Sequence, residues 1–141
     1  MYPHSHALYQ LATKALLFDG NKILVLITPD GYLDFPGGRV DETERDVPWT
    51  ESLKREVAEE LGVSIVIKVV KNLFVSKRQY REDNMTHFIA AIFFECHYLS
   101  GNITLSNEHR NFEWMTPGEI LSSRFKFISD DERSQLSLLF A

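Results

Sequence analysis

The segment that most constrains the fold is HFIAAIFFECH, residues 87–97, which is apolar at successive positions rather than at alternate ones. A strand with two apolar faces has to be covered on both sides, as happens in the centre of a sheet that carries a layer on each face. The segment therefore predicts a central, buried strand. Cys96 is the only cysteine of the chain, and inside this segment it is expected to act as a small core residue.

The rest of the chain alternates between strand and helix patterns. Strands are predicted around the Asp19-Gly20-Asn21 hairpin loop and elsewhere, over residues 12–18, 22–27, 32–35, 63–76 (one strand or a bent pair) and 111–115. The polar segment KRQYREDNMT, residues 77–86, is predicted to be a loop. Helices are predicted over 47–61, at the capping sequence that begins at Thr116, and over 130–140. The expected fold class is α/β, a sandwich of helices around a mixed sheet.

Composition limits the kind of protein that this chain can be. Its 141 residues, of which 44% are hydrophobic, are enough for one domain over residues 1–141, with residues 1–10 as a loose N-terminal segment. The net charge of −5 argues against broad attraction to nucleic acid or anionic membranes. Neither a membrane-spanning run nor a signal peptide is recognisable. We therefore expect a cytoplasmic protein without a membrane or a stable nucleic-acid partner, in which an exposed edge strand would be compatible with a homodimer.

Three carboxylates share one face of the helix predicted over residues 47–61. At about 100° per residue, Glu56, Glu59 and Glu60 lie within a sector of roughly 100°, at the edge of the apolar stripe. Like charges at these spacings repel one another. Arg55 is expected to point away from the centre of the cluster, so the better counter-ion is a hard divalent cation, Mg²⁺ or Mn²⁺. The alternative is an ordinary solvated helix face.

Two separated motifs complete a recognisable pattern. Gly38, in the segment YLDFPGGRVDETE, is followed after five residues by Glu44, and the helix carries Arg55-Glu56-Val57-Ala58-Glu59-Glu60-Leu61-Gly62-Val63. This arrangement resembles the signature of the Nudix hydrolase family, which is glycine, five residues, glutamate, seven residues, then Arg-Glu-apolar-any-Glu-Glu-any-Gly-apolar. In this chain ten residues separate Glu44 from Arg55, a three-residue insertion in the loop. The sequence alone does not decide whether Glu44 still reaches Arg55.

The resemblance implies a Nudix-type α/β/α sandwich and divalent-metal-dependent hydrolysis of a pyrophosphate linkage in a nucleoside diphosphate derivative. It implies that the metal ligands are Glu56, Glu59, Glu60 and the Gly38 carbonyl, and that Glu56 or Glu108 orients or deprotonates the attacking water. The implied catalytic residues are thus Glu56, Glu59, Arg55 and Glu108.

The resemblance also assigns supporting roles. Glu44 with Arg55 would hold the loop against the helix, while Gly37 is expected to allow the tight turn because of its own backbone freedom. The other acids around the turn, Asp34, Asp41 and Glu42, are expected to be solvated.

The substrate is less constrained by the sequence. Arg39 and Arg78 are the predicted phosphate contacts, although Arg78 lies in a segment whose charges could equally be solvated. A small nucleotide, such as a nucleoside di- or triphosphate, is favoured because the chain offers no additional segment for a large second moiety. Two other readings stay open: a nucleotide-binding module of the same fold without catalysis, and an RNA 5′-end pyrophosphohydrolase.

Overall fold

A computed structural model describes residues 4–107 and 111–141 of the chain. The strands in this part of the chain are β1 Gln10–Asp19, β2 Lys22–Ile27, β3 Tyr32–Asp34, β4 Gly37–Arg39, β5 Val66–Glu82, β6 Met85–Ser100, β7 Asn111–Met115 and β8 Lys126–Phe127. The α-helices are α1 Trp49–Leu61, α2 Pro117–Leu121 and α3 Asp130–Phe140, and a 3₁₀ turn spans Glu42–Glu44. In these two ranges, no helix has the length and apolar character needed to cross a membrane.

All of these strands belong to one mixed sheet. Its main order is β5-β6-β1-β2-β3-β8, with β4 paired to β1 and β7 paired to β2. The longest parallel pairing joins β1 to β6, from Gln10 opposite Ile89 to Phe18 opposite His97. The strand β6 lies between two neighbours over most of its length, as its apolar sequence predicts.

Helices cover both faces of this sheet. Alternate side chains of β6 enter two separate cores, one of which contains Ile89 and Phe93 and the other Ile92 and Cys96. The first core is completed by Ile120 of α2 and Leu136 of α3. The second core is completed by the apolar stripe of α1, which consists of Leu53, Val57 and Leu61. The predicted α/β/α sandwich is therefore confirmed.

The helix α1 ends where the sequence predicts. Gly62 has a φ of +105°, and its N–H donates to the Ala58 carbonyl at 3.0 Å. A positive φ is strained for other residues, which accounts for the glycine at this position. At the other end, Trp49 is 49% exposed and does not continue the buried stripe.

The predicted polar loop over residues 77–86 is wrong. Here β5 and β6 form a continuous antiparallel hairpin, and only Asp83 and Asn84 lie in the turn between them, with φ values of +52° and +61°. Two residues with positive φ match the twist of a tight hairpin. The prediction relied on polar composition. It failed because successive side chains of the strand point to opposite faces of the sheet, so that Ser76 is buried while Lys77 is exposed.

The Pro36-Gly37-Gly38 segment is also more regular than a plain turn. Gly37 and Gly38 begin β4, in which Thr13 of β1 pairs with Gly38 and Lys14 with Gly37. Gly37 has a φ of +135°, and a Cβ atom there would lie 2.0 Å from the Thr13 carbonyl oxygen. Only glycine allows the two backbones to approach so closely.

Candidate active site

The longer loop does not prevent Glu44 from reaching Arg55. Arg55 Nε donates to Glu44 Oε2, and Nη2 donates to Oε1, both at 2.7 Å. The 3₁₀ turn aims Glu44, because the Asp41 side chain accepts the Thr43 N–H and the Asp41 N–H donates to Glu44 at 3.0 Å. The hydrogen bonds from Arg55 lower the pKa of Glu44 to about 2. A bidentate, charge-assisted pair of this kind fixes the loop against α1.

The same guanidinium neutralises two of the helix carboxylates. Arg55 Nη2 donates to Glu56 at 3.0 Å, and Nη1 donates to both carboxylate oxygens of Glu59 at 3.0 Å. The prediction that Arg55 points away from the cluster is therefore wrong, because the long side chain folds back along its own helix. The hydrogen bonds to Glu44 contribute most to the raised pKa of Arg55, and the contacts with Glu59 and Glu56 raise it further.

Glu56 and Gly38 lie in direct proximity. A Cβ atom at Gly38 would be 2.6 Å from the Glu56 carboxylate carbon, so this glycine leaves the space that the carboxylate occupies. Burial raises the pKa of Glu56, although Arg55 opposes this effect. The structure thus brings Gly38 and the first helix carboxylate to one point, as the family signature implies.

Glu60 is the most buried of the three helix carboxylates. Its side chain accepts the Gly37 N–H at 2.6 Å, and the residue is 5% exposed. Burial raises the pKa of Glu60 to about 7, even though Lys14 favours the charged form. Lys14 Nζ in turn donates to the Phe35 carbonyl at 3.1 Å and to the Gly37 carbonyl at 3.2 Å. The glycine segment is therefore held from both sides.

The donor chemistry of the site suits a hard cation. Glu56, Glu59 and Glu60 offer carboxylate oxygens. Burial raises the pKa of Glu56 and Glu60, and a bound cation would offset this cost of burying their negative charge. Within residues 4–107 and 111–141, however, no three acidic, histidine or cysteine side chains are gathered in a metal-binding arrangement. Glu56 and Glu59 would have to exchange contacts with Arg55 for contacts with an ion. Glu108 lies outside the described residues.

A cavity of about 990 Å³ opens above Gly38 and Glu56. Arg39 and Arg45 provide positive charge in its wall, and the aromatic residues Tyr9 and Trp49 line it as well. These two rings are 48% and 49% exposed. A cavity of this size is large enough for a nucleotide, and its lining contains acidic groups (Asp41, Glu42 and Glu56) as well as the two arginines. Trp49 lies at the four-residue spacing of the apolar residues Leu53, Val57 and Leu61, yet it faces this cavity and not the core.

Arg78 does not line this cavity, contrary to the predicted phosphate contact. Its side chain is 8% exposed, with Nε donating to Glu132 at 2.7 Å and Nη2 to Asp34 at 3.0 Å. Asp34, expected to be solvated, is inside as well. Burial works against its ionisation, but Lys14 and Arg78 hold the pKa of Asp34 well below its usual range. These charges form a buried ionic network instead of a substrate contact.

The fold and the site together define a class of protein. A sandwich in which a glycine strand, an arginine–glutamate clamp and a helix with three carboxylates meet below a nucleotide-sized cavity is the arrangement of a Nudix hydrolase domain. The sequence profile of the NUDIX domain matches residues 8–135. The chain therefore belongs to the Nudix family, whose members hydrolyse pyrophosphate bonds and generally use divalent metal ions.

Individual relatives place the chain within this family. It is 39% identical, over 95 residues, to the U8 snoRNA-decapping enzyme of Xenopus laevis, in a match that covers 62% of this chain and 44% of that protein. The chain thus spans less than half of that relative's length. Among the solved structures that share the fold is the MutT protein of Methanosarcina mazei Go1, with a TM-score of 0.72 and 23% identity over 94% of this chain and 93% of that one. Another is an ADP-ribose pyrophosphatase from Streptococcus suis 89-1591, with a TM-score of 0.66 and 21% identity over 92% of this chain and 87% of that one.

Replacement of Gly38 by alanine tests the contact with Glu56. The added methyl group must displace the carboxylate, which is the far end of a flexible side chain, so we expect the rate of hydrolysis to fall at least about tenfold with a change of less than about 1 kcal/mol in the free energy of unfolding. Gly118→Ala is the matched control, because a Cβ atom there meets no atom within 4 Å. The measurements are steady-state kinetics and urea unfolding. Equal rates for the two variants would contradict the placement of Gly38 against a functional carboxylate.

Proposed function

We propose that this chain hydrolyses the pyrophosphate linkage of a small nucleoside diphosphate derivative, most simply a nucleoside di- or triphosphate, with Mg²⁺ or Mn²⁺ as cofactor. The observation that carries this proposal is the intact Glu44–Arg55 clamp, which sets the carboxylate helix against the glycine strand despite the longer loop. A chain that had lost catalysis would have no need to preserve this contact together with all three helix carboxylates. That combination weighs against a module that only binds nucleotides.

Glu56, Glu59, Glu60 and the Gly38 carbonyl would hold the cation. The chemistry that such an ion supplies when bound is neutralisation of the diphosphate charge and a lower pKa for a coordinated water. Arg55 contacts Glu56 and Glu59, and its positive charge offsets the repulsion between these two carboxylates. Arg55 therefore prepares the site as well as fixing the loop.

The reaction is attack of water on one phosphorus of the pyrophosphate. A new P–O bond forms from the water oxygen, the bond from that phosphorus to the bridging oxygen breaks, and the bridging oxygen leaves with the other phosphate group. The water proton passes to a carboxylate, for which we propose Glu56 at the cavity floor or Glu108. Arg39 and Arg45 in the cavity wall would contact phosphate oxygens, and Trp49 or Tyr9 would stack on the base.

A second candidate is hydrolysis at the 5′ end of an RNA. It is favoured by the 39% identity to the U8 snoRNA-decapping enzyme of Xenopus laevis over 95 residues. The chemistry would be the same, but the polymer would have to be held along the protein surface. The net charge of −5 disfavours such a surface, because RNA binding depends on neutralising several phosphates. We therefore rank the small nucleotide first.

A substrate panel decides between these candidates. Nucleoside di- and triphosphates, ADP-ribose, a UDP-sugar, a dinucleoside polyphosphate and short RNAs with triphosphate or capped 5′ ends are incubated with Mg²⁺ or Mn²⁺ in ¹⁸O-labelled water. We expect turnover of a small nucleotide, and the labelled product identifies the phosphorus that is attacked. Turnover of the RNAs alone would favour the second candidate. Tight binding of nucleotides without turnover of any substrate would overturn hydrolysis itself.

A further inference from the structure

Four side chains from four strands form a closed ring of contacts at the rim of the cavity, and we call them the rim cluster: Gln10, Arg39, Tyr80 and His87. Arg39 Nη1 donates to Gln10 Oε1 at 2.8 Å, and Gln10 Nε2 lies 3.2 Å from His87 Nδ1. The His87 ring stacks on Tyr80, with centroids 5.1 Å apart and planes at 22°. Tyr80 closes the ring, because the Arg39 guanidinium carbon lies 4.8 Å from its ring centroid.

The hydrogen bonds of the rim cluster determine the protonation of His87. Arginine can only donate, so the atom of Gln10 that faces Arg39 must be the amide oxygen. The amide nitrogen then faces His87 and donates to Nδ1, which must carry no proton. The ring proton is therefore on Nε2, which lies 3.9 Å from Glu82 Oε2. The ring of contacts is complete only while His87 is neutral.

Arg39 is the charged member of the cluster that lines the cavity. Both Arg39 and Gln10 line the cavity above Gly38. Hydrogen bonding to Gln10 uses one of the five N–H donors of the guanidinium, and stacking on Tyr80 fixes its plane. A guanidinium held in this way is prepared to bind phosphate oxygens without further loss of side-chain freedom.

We propose that Gln10, Tyr80 and His87 are positioning residues, which hold Arg39 ready for an anionic phosphate group of the substrate and release it when His87 is protonated. This inference rests on the proposed function, since it assigns Arg39 a phosphate ligand in the same cavity. The roles differ: Arg39 contacts the substrate, while the other three act through Arg39.

Protonation of His87 breaks the ring at a defined point. A proton on Nδ1 would face the donating amide of Gln10, and a flip of that amide would turn its nitrogen towards Arg39, where two donors would oppose each other. The charged groups around His87 are Glu82, whose Oε2 lies 3.9 Å from Nε2, and Arg39, which lies across Gln10 and Tyr80. The hydroxyl of Tyr80 donates to Glu82 at 3.1 Å, and Arg81 is bonded to Thr86 and to the Asn84 carbonyl. Phosphate affinity should therefore be lower when His87 is protonated than when it is neutral.

The experiment measures binding of α,β-methylene-ADP, whose methylene bridge resists hydrolysis, by calorimetry with Mg²⁺ at pH 8 and pH 6. His87→Asn retains an acceptor at the position of Nδ1 but does not titrate. We expect its affinity at pH 8 to stay within about threefold of the parent protein, and its loss of affinity between pH 8 and pH 6 to be about fivefold smaller. His97→Asn is the matched control, since His97 pairs with Glu95 away from the rim cluster, and it should keep the parent pH dependence. An unchanged pH dependence in His87→Asn would overturn the inference.

Two further variants separate positioning from folding. His87→Phe keeps a ring for stacking on Tyr80 but has no acceptor, and Gln10→Met removes both hydrogen bonds at similar volume. We expect both variants to weaken binding about tenfold at either pH and to raise KM with little change in kcat, because Arg39 contributes to binding in general. If the proposed function is wrong, no turnover will be observed, but the two variants will still bind more weakly than the parent protein. A KM equal to that of the parent protein in both variants would overturn the inference alone.

Discussion

Replacement of Glu60 by glutamine is expected to remove most of the metal-dependent hydrolysis, by a factor of about 10²–10³, while the protein remains folded. The amide keeps an oxygen that can accept the Gly37 N–H, but it has no charge to bind a cation. Glu59→Gln should also lose most of the rate. The control is Glu51→Gln on the same helix, where the carboxylate is 59% exposed and lies 3.8 Å from Lys54. Full activity in both Glu60→Gln and Glu59→Gln would contradict the assignment of the metal ligands.

The same Glu60→Gln variant should be more stable than the parent protein at alkaline pH when no metal is present. Burial raises the pKa of Glu60 from 4.5 to about 7. Below pH 4.5 the carboxyl group is protonated in the folded and unfolded states alike, so it has no effect on stability. Between pH 4.5 and about 7 the unfolded state ionises first, and stability decreases by up to roughly 3 kcal/mol. Urea unfolding in EDTA should show the gain from glutamine at pH 8 and little of it at pH 5; an equal effect at both would contradict this account.

Replacement of Arg78 by methionine is expected to lower the free energy of unfolding by about 3–5 kcal/mol. Glu132 is fully buried, and its pKa is raised by that burial although Arg78 opposes the effect. Among the described residues, no hydrogen-bond donor meets its second oxygen, and Arg78 compensates the charge of Glu132 more than Ser76, at 3.4 Å, or Lys14 does. Asp34 would lose its contact with Arg78 as well. Removal of one partner leaves buried charge without compensation, and that is costly in a region of low dielectric constant.

Two comparisons make the Arg78 prediction specific. Arg45→Met breaks an ion pair with Glu42 whose side chains are 73% and 78% exposed, and it should change stability by less than about 1 kcal/mol. Combining Arg78→Met with Glu132→Leu should restore part of the loss, since the stranded charge is then removed too. A loss below about 1 kcal/mol for Arg78→Met in urea unfolding would show that the network contributes little to stability.

The features that the sequence predicted well depend on local patterns. The buried strand β6 could be identified because its apolar residues are consecutive, and the end of α1 because Gly62 follows the last apolar position of the helix. The positions of Glu44 and the helix carboxylates came from a signature that local spacing defines. The structure adds that the 3₁₀ turn at Glu42–Glu44 accommodates the longer loop and brings Glu44 to Arg55.

The failures share a different cause, which is contact between residues far apart in the chain. Arg78 pairs with Asp34 across 44 positions and with Glu132 across 54. Local composition does not show such distant pairs, and it therefore predicts that these charges are solvated. The rim cluster is equally invisible in the sequence, because Gln10 and His87 are 77 positions apart. The hairpin turn was detectable in principle, since Asp83-Asn84 is a residue pair that tolerates positive φ.

The outer strand β5 has a consequence for the behaviour of the protein at high concentration. It spans 17 residues at one end of the sheet, and β6 is its partner. A long, flat outer strand invites another chain to add its own strand, which is how fibrillar aggregates grow. Here the register shifts at three places, between Val66 and Ile67, Val69 and Lys71, and Asn72 and Phe74, and Lys68 and Lys71 are exposed along the strand. We expect the irregular backbone and the repelling ammonium groups to disfavour the addition of a second chain along this strand.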